Sequence, residues 1–297
     1  MASGRDRAPG HKGLAPVDFA VMTDRPAWNP PIPGWTAALN PGFGLHFRAP
    51  IAGWFEEFFD RRSLVVVALR ARLEWTPGEA SVYELDSQTF TSVLWTTNDN
   101  QILVAVDAAL YQLAGRESRA VNSLGTLLEA GGSAWRVRDD GCGLERRVPE
   151  AIHTAVAGAV SSAKGVSADA AEHLQKAWVA LYGIAPDASS AYAEAVRAVE
   201  SAAGRLVEPN NAKATLGTIN GSLRTDRARW RIAITDAQGG PIDGTPVLAM
   251  QELLWHGHTD RHGANPTIQV TRDAAQSAVH LAATLVQWWT AGGIVKS

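Results

Sequence analysis

Cysteine is almost missing from this sequence of 297 residues, and its single copy, Cys142, excludes an intrachain disulfide. A cysteine-rich zinc site is excluded as well, because such a site needs several thiolate ligands. Proteins without disulfides are typical of a reducing compartment. We therefore expect a cytoplasmic protein.

Long apolar runs and an excess of positive charge are also missing. No apolar run reaches the roughly 18 residues that a membrane-spanning helix needs. The formal net charge is -3, whereas proteins that coat nucleic acid non-specifically use many lysines and arginines to neutralise phosphates. We therefore expect no membrane contact, and any contact with RNA has to be made at a focused site.

Apolar residues are plentiful outside residues 1–13. Residues 1–13 contain Gly, Arg, Asp, Lys and Pro without an apolar run, so they are predicted to form a disordered tail. Hydrophobic residues make up 46% of the chain, which is enough to bury a core in each of two domains. We place the boundary at residues 161–165, which are small and flexible. This gives domains at 14–160 and 166–297.

The first domain is predicted to be α+β. Residues 63–75 open with an apolar run and continue with alternating apolar and charged residues, a pattern typical of a half-buried strand. Residues 81–85 are expected to return as its hairpin partner. A second hairpin is predicted from residues 135–138 and 144–148, which flank an Asp-Asp-Gly turn.

Several other segments have apolar residues at helical spacing. Most of them follow the domain boundary, so the second domain is predicted to be an all-α bundle of antiparallel helices. Ser167, Asp187 and Thr271 are each suited to cap a helix. The predicted helices cover approximately residues 98–113, 168–182, 188–207, 212–223, 245–255 and 272–289.

The densest concentration of chemically useful side chains is the segment from His256 to Gly263, just before the last predicted helix. A histidine with an unperturbed pKa of roughly 6.5 transfers protons near neutral pH, and an arginine binds phosphate through paired hydrogen bonds. We therefore expect Arg261 to hold a phosphate and His262 to transfer the proton, with Asp260 or His258 orienting the ring. The alternative is a polar loop whose imidazoles cap helix ends.

A zinc site is a further alternative for this segment. His256, His258 and His262 would supply three nitrogen ligands to zinc and leave a position for water. The first two have the spacing of a strand pair and the last two that of a helix pair, and one short backbone cannot adopt both conformations. We expect no metal. No glycine-rich phosphate loop joins a predicted strand to a helix, so no cofactor is expected either.

The densest basic run lies between two of the predicted helices. It contains Arg224, Arg227, Arg229 and Arg231, with Trp230 between the last two. Arginines can follow a nucleic-acid backbone while a base stacks on an indole, so these residues are candidates for RNA binding. The alternative is a charged, solvated connector.

Residues 168–290 resemble the HEPN superfamily, in particular its abortive-infection branch. The similar motifs are residues 170–178, 182–183, 195–200 and 214–217, followed by Asp260-Arg261-His262-Gly263 before the alanine-rich last helix. The resemblance implies a bundle that commonly forms a homodimer. In active members of the family the bundle cleaves RNA without a metal.

The resemblance also implies a mechanism. An arginine and a histidine lie at the dimer cleft, where the 2′-hydroxyl attacks the neighbouring phosphodiester, the histidine transfers protons and the arginine stabilises the developing charge. His262 corresponds to the histidine. In the family the arginine precedes the histidine by a few residues, and here Trp255, His256 and Gly257 occupy those positions. Arg261, which adjoins His262, would have to substitute.

Three hypotheses follow. The first is a phage-defence or toxin-type endoribonuclease using His262 and Arg261, whose α+β half senses a phage or host protein or restrains activity. The second is a catalytically inactive HEPN-like module that dimerises and recognises a protein or nucleic-acid partner. The third is a metal-dependent hydrolase, which ranks last because no carboxylate and histidine spacing supports it.

Overall fold

The computed structural model describes residues 39, 41–75, 84–114, 117–257 and 269–297. Asn40–Ser297 form one compact unit. A first unit, Met1–Leu39, lies almost entirely outside the described residues, and so does the tail predicted at residues 1–13.

Helices make up most of the described chain. The first five are α1 Leu45–Phe58, α2 Arg61–Arg70, α3 Ser87–Thr96, α4 Asp99–Leu113 and α5 Ser118–Ala130. The next six are α6 Glu150–Lys164, α7 Ala168–Tyr182, α8 Ala188–Val207, α9 Leu216–Asp226, α10 Thr245–His256 and α11 Arg272–Thr290. Among the described residues, none of these helices is long and apolar enough to cross a membrane.

In the described ranges, five short strands form two small antiparallel sheets. Strands β1 Trp135–Val137 and β2 Leu144–Arg146 form the hairpin predicted there, which is confirmed. In the second sheet β3 Trp230–Thr235 lies between β4 Pro241–Asp243 and β5 Ile294–Lys296. The C-terminal bundle is therefore not all-α as predicted, because the chain end returns to pair with β3.

The predicted helix caps of the bundle are confirmed. The side chains of Ser167, Asp187 and Thr271 each accept a hydrogen bond from a backbone N–H in the first turn of α7, α8 and α11, respectively. Such a bond satisfies one of the donors that a helix leaves free at its start. Helix α9 begins later than the predicted residue 212, because Thr215 caps it at Leu216. Local sequence chemistry thus sets the ends of these helices.

The strand predicted at residues 63–75 is wrong, because residues 61–70 form helix α2. Asp60 caps this helix by accepting a hydrogen bond from the backbone N–H of Ser63 at 2.8 Å. Leu64, Val67 and Ala68 are buried on one side at the three-and-four spacing of a helix. The cap and the buried face outweigh the strand preference of the valines. Of the proposed partner, residues 81–83 lie outside the described part and residues 84–85 are not in a strand.

Two groups of buried residues form the interior of the part of the chain that the structure describes. The N-terminal cluster runs from Phe43 to Leu144 and contains α1 to α5 with the β1–β2 hairpin. The C-terminal cluster runs from Val156 to Ile294. Helix α6 contributes Ala159 and other buried residues to the C-terminal cluster, so that core begins one helix before the boundary predicted at residues 161–165.

Candidate functional site

The residues predicted to be catalytic, His258, Asp260, Arg261 and His262, lie outside the described part of the chain. The structure describes both flanks of their segment. Helix α10 ends at His256, and α11 begins after the cap at residue 271. The histidine-rich segment therefore connects the C-terminal end of one bundle helix to the N-terminal end of the last one.

The last turn of α10 is held by helix α8. The buried Tyr192 donates its hydroxyl hydrogen to the carbonyl oxygen of Leu254 at 3.0 Å. A Cβ atom at Gly257 would collide with the Tyr192 hydroxyl, so a glycine is needed at this close approach. The point at which the chain leaves α10 toward the predicted catalytic residues is thus fixed by packing.

A tyrosine and a histidine that no sequence motif marks meet between α7 and α11. The Tyr182 hydroxyl oxygen lies 3.0 Å from Nε2 of His280. Burial raises the pKa of Tyr182 and lowers the pKa of His280. Both shifts favour the uncharged side chains, because burial penalises the charged form of either group. The pair is suited to join two helices of the bundle.

The four arginines of the basic run lie beside carboxylates. Arg224 pairs with Glu252, and Nη1 of Arg229 lies 3.1 Å from Oδ2 of Asp226. The pKa of Asp243 is lowered mainly by hydrogen bonds from Thr245, with smaller contributions from the charges of Arg227 and Arg231. The positive charge of the run is therefore partly neutralised. The assignment of Arg224, Arg227 and Arg229 to RNA binding stays a prediction.

Trp230 does not fit the predicted RNA-binding role. Its side chain is buried, and its ring packs edge to face against Trp289 at 5.2 Å between centroids. Because the indole belongs to the C-terminal cluster, its face is not open to a base. The prediction that a base stacks on Trp230 is wrong in this structure.

A pocket of about 220 Å³ lies between α6 and α7 beside the β1–β2 hairpin. Its middle is lined by Val156, Val160 and Val179, and its hairpin end contains Glu145 and His153. It combines apolar walls with a few polar groups that converge at one end, as ligand sites commonly do.

Glu145 is the buried carboxyl group of this pocket. Its Oε2 accepts a hydrogen bond from the indole N–H of Trp178 at 2.8 Å. Its Oε1 is buried and has no hydrogen bond to any residue that the structure describes. Nε2 of His153 and Nε of Arg136 lie 3.4 and 3.5 Å from it. Burial raises the pKa of Glu145, against the opposing effects of the Trp178 hydrogen bond and the Arg136 charge. Oε1 is therefore a buried acceptor, in a residue that lines the pocket, without a hydrogen bond to any described residue.

His153 lies beside three carboxyl groups, those of Asp139, Glu145 and Glu150. Its Nε2 is 3.4 Å from Oε1 of Glu145 and 3.4 Å from Oδ2 of Asp139. Its ring packs edge to face on Trp178, at 6.0 Å between centroids. This arrangement can bind a polar group. Sequence reasoning missed it because Glu145 and His153 lie in different elements, and only the contact between the hairpin and α7 buries them together.

Among the described residues, no group of three or more His, Cys, Asp or Glu side chains is arranged to hold a metal ion. The chain matches no protein-family model, no curated protein and no solved structure at a significant level.

Proposed function

We propose that this protein is a HEPN-like endoribonuclease of the phage-defence or toxin type, which cleaves RNA without a metal. His262 transfers the proton and Arg261 stabilises the charge on the phosphate, with His258 and Asp260 beside them. The site forms at the cleft of a homodimer, as the family resemblance implies. The N-terminal cluster responds to a phage or host protein trigger.

The observation that carries this proposal is the position of the histidine-rich segment within the helical bundle. The segment joins α10 to the start of α11, the long last helix, and Tyr192 fixes its first flank through Leu254. The first turn of a helix carries partial positive charge. A phosphate near the start of α11 would therefore be stabilised by the helix as well as by Arg261.

The second candidate is a catalytically inactive module with the same bundle, which recognises a protein or nucleic-acid partner. Two observations favour it. Trp230 is buried, and Arg224 and Arg229 are paired with carboxylates, so the predicted RNA-binding run offers less free charge and no exposed indole. In addition, Arg261 adjoins His262 instead of preceding it by a few residues.

Induction of the wild-type gene beside the His262→Ala and Arg261→Ala variants distinguishes the two candidates. Cell growth and the integrity of total RNA are measured after induction. The nuclease proposal expects growth arrest and RNA fragments with the wild type, and neither with the variants at equal expression. His46→Ala is the matched control, because His46 is exposed and belongs to α1 in the N-terminal half.

Intact RNA after induction of well-expressed wild-type protein, with and without phage infection, would favour the binding module. In that case a pulldown should recover the same partner with the wild type and with His262→Ala, because the substitution leaves the bundle intact.

A further inference from the structure

We propose that the pocket between α6 and α7 binds a small organic ammonium ion. The ammonium group lies beside Oε1 of Glu145, and the apolar part of the ligand lies along Val156, Val160 and Val179. This site is separate from the segment proposed to act on RNA.

The apolar wall follows from helix geometry. His153, Val156 and Val160 lie at spacings of three and four residues, so they share one face of α6. Val179 and Trp178 face them from α7. The volume of about 220 Å³ is below the roughly 300–1,000 Å³ of pockets that hold drug-sized ligands. A short alkyl chain or a single ring therefore fits this space.

The polar end of the pocket favours a ligand that carries a hydrogen-bond donor. Glu145 is 3% exposed, and within the described part of the chain its Oε1 has no hydrogen bond. A buried acceptor without a donor costs free energy, and a ligand N–H group placed there removes that cost. Oε2 already accepts a hydrogen bond from Trp178, so Oε1 is the oxygen whose acceptor capacity is unused among the described residues.

The charges around Glu145 favour an ammonium ion over an uncharged hydrogen-bond donor as the ligand group. Four carboxyl groups surround this end, those of Asp139, Asp140, Glu145 and Glu150, all within reach of Arg136, Arg138 or His153. Three guanidinium groups oppose them. Arg136 lies 2.6, 3.5 and 3.9 Å from Asp139, Glu145 and Glu150. Arg138 lies 3.2 Å from Asp140, and the charge of Arg147 interacts with that of Glu150. When the carboxyl groups are ionised, the formal balance at this end is negative.

The one further basic residue of the pocket lies at its other end. Lys164 is eleven residues after His153 on α6, which places it about 16 Å away along the helix axis. This separation exceeds the Debye length of about 8 Å at physiological ionic strength. Lys164 therefore does not oppose a cation bound beside Glu145.

The test uses the full chain labelled with ¹⁵N, titrated with n-butylamine at neutral pH, where the amine is protonated. The indole N–H signal of Trp178 is identified by its loss in Trp178→Phe. We expect this signal to shift saturably in the wild type, with a Kd in the millimolar range. Glu145→Gln and the uncharged probe n-butanol should each bind about tenfold more weakly or worse, because a hydrogen bond to a charged group is lost.

Sodium chloride at matched concentration controls for ionic strength. No saturable shift in the wild type, or equal affinity for n-butylamine and n-butanol, would overturn the proposal. Equal n-butylamine affinity in the wild type and Glu145→Gln would do the same.

A second pair of variants keeps the test decisive if Glu145→Gln does not fold. Ala157→Leu fills the pocket from α6 and should abolish the shift, whereas Ala155→Leu adds the same side chain on the exposed side of that helix and should retain it. Binding that survives Ala157→Leu would place the amine elsewhere and refute this site.

Discussion

Trp178 donates its indole N–H to Oε2 of Glu145 across 2.8 Å, and both side chains are buried. Trp178 belongs to α7 in the C-terminal cluster, whereas Glu145 belongs to β2 in the hairpin of the N-terminal cluster. The neighbouring backbone supports this contact, since Glu145 also forms an isolated antiparallel bridge with Gly183. The hydrogen bond therefore links the two clusters.

Replacing Trp178 with phenylalanine should weaken this link. The ring remains, but Oε2 of Glu145 loses its donor in a buried position, which costs about 1–3 kcal/mol. We expect the free energy of unfolding, measured by urea denaturation, to fall by that amount. Trp95→Phe is the control, because Trp95 is exposed and its substitution should change stability by less than about 0.5 kcal/mol. Equal effects of the two substitutions would contradict the linking role.

Glu145 should also make stability depend on pH. Burial raises its pKa above the usual 4.5, so the folded protein binds the proton more readily than the unfolded chain. The resulting stabilisation is complete below the unfolded pKa and is lost as the pH rises through the folded pKa. Glutamine removes this dependence. We therefore expect the stability of Glu145→Gln relative to the wild type to increase with pH above 4.5.

Denaturation curves of both proteins at several pH values, at constant ionic strength, measure this difference. A difference that stays constant or decreases above pH 4.5 would show that Glu145 is not the group responsible.

Arg48 should contribute strongly to the stability of the N-terminal cluster. It is buried and donates to the carbonyl oxygens of Leu94, Trp95 and Thr97, and it pairs with Asp99 at 3.0 Å. These carbonyl groups lie at the end of α3, where a helix leaves its acceptors free. We expect Arg48→Met to lower the free energy of unfolding by at least about 2 kcal/mol, because several acceptors lose their donor together.

Arg119→Met is the matched control for Arg48→Met. Arg119 pairs with Glu57, but 75% of its side chain is exposed, and exposed ion pairs contribute less than about 1 kcal/mol. If chemical denaturation shows equal losses for the two variants, the buried bonds of Arg48 are not the cause.

Gln251 should contribute strongly to the stability of the C-terminal cluster, as Arg48 does to that of the N-terminal cluster. It is fully buried, donates to Oδ1 of Asn220 at 3.0 Å and accepts from the indole N–H of Trp289 at 3.0 Å. Gln251→Leu leaves both partners unsatisfied, and each buried group costs about 1–3 kcal/mol. Thermal and urea unfolding should therefore show a clear loss of stability. Gln287→Leu, at an exposed position of α11, should leave stability almost unchanged.

The sequence predicted the bundle helices best where a local signal marks their ends. Ser167, Asp187 and Thr271 combine a capping side chain with an apolar stripe that follows. The β1–β2 hairpin also has a local sequence signal, because Gly141 adopts a positive φ of 69° in its turn. These features depend on neighbours in sequence, and they were predicted correctly.

The features that were missed depend on contacts distant in sequence. Strand β5 pairs with β3 across more than sixty residues, with Trp230 opposite Lys296, and three-residue strands carry almost no periodic pattern. In the same way, Glu145 and Trp178 meet only after the hairpin packs on α7. In α2, alternation suggested a strand, but burial of Leu64 and Val67 on one face decided the conformation.

The most direct test of the proposed function is an RNA cleavage assay with purified protein in excess chelator. Wild type and His262→Ala are compared on one labelled RNA and on the same RNA with a 2′-deoxy nucleotide at the cleaved position. We predict cleavage of the unmodified RNA by the wild type alone, and no cleavage at the 2′-deoxy position, because the 2′-hydroxyl is the attacking group. Equal cleavage by the wild type and His262→Ala, or cleavage that stops in chelator, would contradict the account.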